Sequence, residues 1–478
     1  MAGMTLCSVC ERQVRGKAKV EGGASTSTVD GATTTAAAAA ASEACALCFG
    51  TLNPQFVARV AADVGRAVKN DFYDVKDFVL SLNMPVSLIL REEIVKMRDD
   101  LGFAGTLASV PFRIRAIDAY IGALYEATGL RPTKCSNLNL TITFCNDEFL
   151  KPDCDFLLDH FPDEFIMPAK KMRLAEPPPI ESLLTKVKVL SIASRLQADV
   201  AKKFNFETPT NNCVSSFELS RDPIFLAGRY CKFSRNLPQS PWTADDHAGS
   251  GIVGGSVSEQ VCQFLKQKSL ADVTRFTASG REDIDVRMLG EGRPFAVQLV
   301  NPRKKLPEWS TIEQEINRTF NDIRVSFLRQ VTRAEADILK IGEEEKRKTY
   351  TALCYSSKRV DPVMLAALQN KAPLELKQKT PVRVLKRRPL IERPRNIFQM
   401  HALPIDDHHF QLRLTTQAGT YVKEFVHGDF GRTRPSLADL IDPESEVDIL
   451  ELDVEMVDLE WPPGNITAQQ PVPNGLAK

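Results

Sequence analysis

The stretch that most limits what this chain can fold into is Phe276 to Arg303, FTASGREDIDVRMLGEGRPFAVQLVNPR. Ile284, Val286 and Met288 alternate there with Asp283, Asp285 and Arg287. Strict alternation is the signature of a half-buried strand, and on such a strand Asp283 and Asp285 share a face with Arg287 behind them. Gly290 and Gly292 predict a turn, after which Phe295, Val297 and Leu299 restart the alternation, so the expected unit is a hairpin. A carboxylate at its rim, flanked by Arg281, Arg287 and Arg293, would be held ionised by those cations. An ionised carboxylate is a nucleophile. On spacing alone, an Asp beside Arg in a turn is more often a solvated pair of little energetic worth.

Composition bears on the partner. Lys plus Arg and Asp plus Glu are both 61, so no global positive field exists. A nucleic-acid partner then requires basic residues clustered locally. Lys379 to Arg395 is such a cluster, with Arg383, Lys386, Arg387, Arg388, Arg393 and Arg395 opposed only by Glu392. A second is Arg229, Lys232 and Arg235, interleaved with Tyr230 and Phe233, a mixture suited to a phosphate backbone with unstacked bases. Each of these also has a plain reading as a solvated face.

Cys7-x-x-Cys10 and Cys45-x-x-Cys48 offer four thiolates, the tetrahedral set of a structural zinc, with no position open for metal catalysis. The Ala-, Ser- and Thr-rich segment between them, 17–44, is expected to be an insertion without a core of its own. The N-terminus lacks a secretion signal, and no apolar run reaches the roughly 18 residues of a membrane span. The expectation is an intracellular protein of nucleus, cytoplasm or mitochondrion, acting as a monomer away from membranes. Asn465-Ile466-Thr467 fits a glycosylation acceptor that has no use without secretion.

In between, Asn53-Pro54 predicts a helix start followed by a Phe56, Val60, Val64, Val68 face. Residues 78–90 read as a strand broken near Pro85, 91–101 and 116–130 as helices, 137–145 as a strand and 180–204 as one helix. Further on, 258–270 reads as a short helix; Ser310–Glu313 and Thr332–Glu335 read as capping boxes. Phe410, Leu412, Leu414 and Thr416 form a strand turning through Gly419 into a short helix with Tyr421 and Lys423 at its start. His427 before Gly428 is a candidate acid or base, though a lone His there is more often structural. The tail 447–461 reads as a closing edge strand.

The Gly-Arg-x-Asp string resembles the signature of pseudouridine synthases. Four longer strings, GREDIDVRMLGEGRPFAVQLVNPR, GRYCKFSRNLPQSPW, QKTPVRVLKRRP and TQAGTYVKEFVHGDFGRTRPSL, are similar to the archaeal and eukaryotic tRNA pseudouridine synthases that act on T-arm uridines 54 and 55. That resemblance implies an α+β protein: a zinc knuckle (1–52), a THUMP-containing RNA-binding domain (53–206), a pseudouridine-synthase domain of mixed, mostly antiparallel sheet with flanking helices (207–463) and a flexible tail (464–478). It places the nucleophile at Asp283, with Asp285 second. It places substrate-contacting tyrosines at Tyr350, with Tyr355 the weaker choice, and at Tyr421, beside Lys423 and Arg281. Arg229, Lys232, Arg235, Arg383, Lys386, Arg387 and Arg388 would bind RNA, with Lys386 standing where the family commonly has His. The reaction isomerises uridine and so needs no organic cofactor. The partner would be tRNA. A rival reading is a non-catalytic adaptor for structured RNAs such as microRNA precursors. A zinc hydrolase fits poorly, since the knuckles leave no open ligand position.

Overall fold

The computed structural model describes residues 4–15, 45–101, 112–167, 176, 178–241, 255–341 and 346–464. The low-complexity insertion, Trp242 of the GRYCKFSRNLPQSPW string, the Asn465 acceptor and the tail lie outside the described residues. Two compact units are present, Met1–Arg221 and Asp222–Lys478.

The first unit holds α1 (Ser8–Arg15), α2 (Pro54–Asn70), β1 (Asp77–Asn83), α3 (Val86–Met97), α4 (Phe112–Thr128), β2 (Arg131–Pro132), β3 (Leu138–Cys145), α5 (Leu150–His160), α6 (Lys186–Ala193), α7 (Ala198–Ala201) and β4 (Val214–Arg221). The Asn53 side chain accepts from the backbone of Gln55 and Phe56, satisfying amides that the helix itself cannot. Phe56, Val60, Val64 and Val68 then lie buried along one face of α2, packed with Tyr120 and Leu124 of α4 over the buried side of β3. The sheet order is β2-β1-β3-β4, with β1 parallel to both neighbours and β4 antiparallel to β3. Since β4 completes this sheet, the unit runs past the expected limit at 206 to Arg221.

Two readings are corrected here. Beyond Pro85 the chain is α3, not a continued strand: the apolar run VSLILREEIV buries a helical side, and a short apolar run does not reveal its period. Residues 180–204 form a 3-10 turn at Ile180–Leu183 and the separate α6 and α7 rather than one helix. The Thr185 side chain caps the start of α6, so the break falls at a residue suited to make one.

The second unit contains β5 (Ile224–Lys232), α8 (Val257–Ser269), β6 (Val273–Ala278), β7 (Arg287–Val300), α9 (Trp309–Thr319), β8 (Ile323–Val331), α10 (Arg333–Ile341), β9 (Lys348–Ser356), α11 (Pro362–Ala367), β10 (Leu374–Lys379), β11 (Glu392–Pro404), β12 (His409–Thr416), α12 (Val422–His427), β13 (Thr433–Arg434), α13 (Leu437–Ile441) and β14 (Val447–Val457). Its sheet runs β13-β10-β11-β12-β9-β14-β7-β5-β8, and β6 also pairs with β7. All pairings are antiparallel except the short parallel contact of β14 with β7 at Asp453–Arg287 and Val454–Met288. Thr332 and Glu335 cap each other at the start of α10 as the spacing implied. Ser310–Glu313 does not form a box. The helix starts two residues earlier, with Glu308 at the N-cap position, and Glu313 instead accepts from the backbone N–H of Leu328.

Two corrections concern the sheet. The tail is not an edge: β14 sits between β9 and β7. Its acids tolerate that position because Arg287 and Arg235 pair with Asp453, and Arg413 with Glu455. The predicted hairpin does not form either. Residues 283–286 are a turn, and β7 runs unbroken through Gly290 and Gly292. Both glycines have positive φ, and the register against β5 slips there, from Tyr230↔Arg293 to Lys232↔Met288, so they make a bulge.

Candidate active site

The geometry starts from that long strand. One edge of β7 pairs with β5, so β14 and β6 share the other. β14 pairs with it at 287–288 and β6 at 295–300. The 279–286 loop leaves the end of β6 where the two neighbours part and re-enters as β7. It is bound there by Ser279 N–H to Pro294 O (2.9 Å) and Arg293 Nη1 to Ser279 O (2.8 Å). Gly280 has φ +82°, a conformation that strains any residue with a side chain, and a Cβ there would also displace Lys348 Nζ, 2.7 Å away.

Within Gly280-Arg281-Glu282-Asp283 the two acids turn opposite ways. Glu282 points inward and its side chain is 0% exposed. It pairs with Arg293 at 2.6 Å and accepts from the Tyr230 hydroxyl at 2.9 Å. Gln239 Nε2 donates to that hydroxyl (2.7 Å) and to Gly280 O (2.9 Å). Asp283 points outward with a side chain 42% exposed. Lys232 is fully buried beneath the turn and donates to Leu237 O (2.8 Å), Asp283 O (3.1 Å) and Ile284 O (2.9 Å). An ammonium has three donors, and three carbonyls take them. Burial lowers its pKa to about 8, against the attraction of Glu282 and Asp285.

The cations on Asp283 come from elsewhere in the chain. Arg383 Nη1, from the loop joining β10 to β11, lies 3.1 Å from Asp283 Oδ2, and its Nε lies 2.7 Å from the buried Glu424. Burial opposes the Arg383 charge, but Glu424 and Asp283 raise its pKa above the ordinary value. Lys423, in the first turn of α12, is 3.5 Å from Asp283 and 2.7 Å from Asp285. Although partial burial works against ionisation of Asp285, the Lys423 contact holds its pKa below the usual carboxylate range.

The expected flanking arginines do not serve Asp283. Arg293 is consumed by Glu282, Arg287 by Asp453 at 2.5 Å, and Arg281 is exposed on the loop. Tyr350 lies on β9 and takes its place across from Val454 of β14. Burial pushes its hydroxyl up to about 12, with Arg293 working against this and Asp283 and Glu282 adding to it, so the hydroxyl keeps its proton near neutrality. Tyr421 precedes α12. Gln378 clamps its backbone through both amide atoms, at 3.0 and 2.9 Å, and the Arg383 guanidinium lies 6.0 Å from its ring centre. Tyr355, five residues along β9, stacks on His408 instead. The His427 ring nitrogen accepts from Asp429 N–H at 3.1 Å, a structural use.

Three of the expected RNA-binding cations are structural. Arg229 is 4% exposed and donates to the carbonyls of Trp461, Gly292 and Leu459. Lys232 is buried, as described. Arg235 donates to Asp285 O (3.0 Å) and pairs with Glu451 and Asp453. The interleaving of cations and aromatics that suggested an RNA surface falls on β5 and the turn after it, where carbonyls and acids of neighbouring elements take the cations. Arg383 belongs to the site itself. Lys386, Arg387 and Arg388 are exposed on the same loop. The expected base-stacking role of Tyr230 is also corrected, since its ring is fully buried and its hydroxyl donates to Glu282. The sequence reading missed Glu282, Gln239 and Glu424; the only signal for the first was an acid beside Asp283, and nothing local marks the other two.

In the first unit, Cys7, Cys10, Cys45 and Cys48 place their sulfurs within 4.8 Å of one another. A backbone bond from Ala46 to Thr5 (3.0 Å) joins the two knuckles, and buried Arg91 donates to Ala46 O (3.1 Å). Four thiols gathered this closely, with none in a disulfide, are a donor set compatible with a structural metal.

A carboxylate in a Gly-Arg-x-Asp turn that leads into β7 of a mixed sheet, faced by an arginine and a lysine, fits one class: a pseudouridine synthase. The comparisons narrow it. Residues 225–458 match the family described as "Pus10, C-terminal", and residues 45–218 match "Eukaryotic Pus10, N-terminal". The chain is 37% identical over 464 residues to the tRNA pseudouridine synthase Pus10 of Xenopus laevis, covering 94% of this chain and 86% of that one. Against the protein of the same name from Homo sapiens it is 36% identical, covering 88% and 79%. The Pyrococcus furiosus relative is 38% identical over 246 residues, covering 50% and 59%. The chain belongs to the Pus10 family.

Proposed function

We propose that this enzyme isomerises uridine to pseudouridine in the T arm of tRNA, at position 54, position 55 or both, with Asp283 as its nucleophile. The observation that carries this is the outward Asp283 carboxylate between Arg383 and Lys423, on a loop whose backbone is pinned from below by Lys232. Relatives named tRNA pseudouridine synthase support tRNA as the substrate. The reaction breaks the N1–C1′ bond, turns the base, and forms a C5–C1′ bond. C5 gives up a proton and N1 gains one, so nothing is added or lost. The target uridine must leave its stack to reach the carboxylate. Arg383 and Lys423 are placed to stabilise negative charge on Asp283 and on the substrate as it develops. Tyr350, protonated and partly covered, would lie against the base and offer a hydroxyl for the proton shift. Tyr421 and Arg281 would contact substrate, and Lys386, Arg387 and Arg388 its phosphates.

The first unit would supply RNA binding as a THUMP-containing domain, with Cys7, Cys10, Cys45 and Cys48 holding zinc. A bound zinc would cross-link the knuckles and take no part in the isomerisation. The experiment is to incubate the purified chain and its Asp283→Ala form with unmodified tRNA transcript and to map pseudouridine by position. Product in the T arm from the first and none from the second is the expected result. RNA binding without product from either would favour the adaptor reading, including adaptors for microRNA precursors.

A further inference from the structure

Phe430 is 95% exposed, next to the site elements but in none of the interactions described so far. It follows α12 in the turn Gly428–Gly431, where Asp429 (φ 46°) and Phe430 (φ 54°) are both left-handed. Such a backbone is unfavourable for a bulky aromatic residue. The turn nonetheless has firm supports. The Asp429 carboxylate is buried and accepts from Val382 N–H at 3.1 Å. Arg432 donates twice to Thr380 O, at 3.0 and 2.7 Å, and its own carbonyl accepts from Lys379 N–H at 2.9 Å. Four polar contacts thus tie the turn to the start of the β10–β11 loop, and they hold an apolar ring out in water.

That loop is the one whose Arg383 meets Asp283. Beyond Arg383 it exposes Lys386, Arg387 and Arg388, together with Leu385 and Leu390. An exposed aromatic ring on a turn whose backbone is tied to a loop bearing exposed cations matches single-stranded nucleic acid, because every base has a π-face and every nucleotide a phosphate. A uridine that leaves its stack also exposes the face of the base beside it, which an aromatic ring can cover.

We propose that the Phe430 ring is the platform on which a base adjoining the extruded uridine stacks, while the loop cations hold the neighbouring phosphates. This rests on the reading of the site as one that takes a uridine out of structured RNA. The platform lowers the cost of holding the flipped state, so it acts on substrate binding and on the fraction of bound RNA that is open, not on bond breaking.

The test uses the full chain. In an Asp283→Ala background, which prevents turnover, binding is measured with unmodified tRNA transcript carrying 2-aminopurine beside each T-arm uridine in turn. Quenching of the probe on binding is the expected stacking signal. Adding Phe430→Ala should remove the quench and weaken binding about tenfold, within the range for one base–aromatic contact. Phe430→Trp should restore both. With Asp283 intact, Phe430→Ala should raise KM about as much as it weakens binding. Because the ring is solvent-exposed, thermal melting should not change. Unaltered quench and affinity in Phe430→Ala would overturn the proposal. If the native chain makes no pseudouridine in tRNA, the functional reading fails by itself, and the quench and affinity still decide whether Phe430 is an RNA platform.

Discussion

Arg383 and Asp283 are separated by one hundred residues in the chain and by 3.1 Å in the fold. The same guanidinium is shared with buried Glu424, whose other oxygen has no hydrogen-bond partner. Arg383 therefore holds two carboxylates, one outward and exposed, one inward and buried. Arg383→Ala is expected to lower kcat by about 10²-fold, the scale for loss of one preorganised charge-stabilising group. Arg383→Lys should recover part of it, since a single ammonium cannot bridge both acids in the same geometry. Release of the C5 proton from labelled tRNA would measure both.

Asp283 and Asp285 share Lys423, but only Asp283 also meets Arg383. Asp283→Asn should abolish product while leaving tRNA affinity in place. Asp285→Asn removes a largely exposed ion pair, so its turnover should stay within about tenfold of the native value. A reversed order in a side-by-side turnover assay would move the nucleophile to Asp285.

Glu282 and Arg293 are a fully buried ion pair. Replacing one partner alone, as in Arg293→Met, is expected to cost about 3–5 kcal/mol, because the other charge is left buried. Replacing both by apolar residues of similar size should cost less. Urea denaturation of the two single variants and the double variant provides the comparison.

Lys232 gives a pH dependence with a definite sign. Its folded pKa of about 8 lies below the ordinary lysine value of 10.5. Between those values the unfolded chain binds the extra proton, so stability from this group rises as pH increases from about 8 to about 10.5. Below pH 8 both states are protonated and the contribution is flat. The neutral amine has only two N–H donors for three carbonyls, so the Asp283 loop should loosen and turnover should fall with a midpoint near pH 8, where the folded-state lysine loses its proton. In Lys232→Met, neither trend should remain in melting and rate profiles against pH.

The four clustered cysteines predict one zinc per chain by elemental analysis, lost in Cys48→Ser. Zinc binding by such knuckles adds directly to folding free energy. Chelation should therefore lower the melting temperature of the first unit. It should leave the chemical step unchanged at temperatures where the chain stays folded, as measured in a single-turnover assay.

Local pattern was legible wherever one element's own spacing decided its state. Asn53-Pro54 and the four-residue repeat marked α2, and the alternation of Leu138, Leu140, Ile142 and Phe144 marked β3. The turn at Gly419 and the short helix after it were also apparent. Reading failed where two periods fit the same residues, as at 86–90, which became α3. It failed again where neighbours changed the value of a charge. The acids of β14 looked like an edge because nothing near them in the chain announced Arg287, Arg235 and Arg413. Arg229 and Lys232 looked like RNA ligands because nothing announced the carbonyls that surround them.

Residue type and short spacing were enough to name the chemistry on offer: a Gly-Arg-x-Asp turn, a pair of tyrosines, four thiols and a cationic run. Which of two adjacent acids faces solvent, and which cations meet it, became visible with the folded chain alone. Orientation and pairing depend on strands far apart in the chain, on where β6 and β14 divide one edge of β7, and on which charges burial leaves without water.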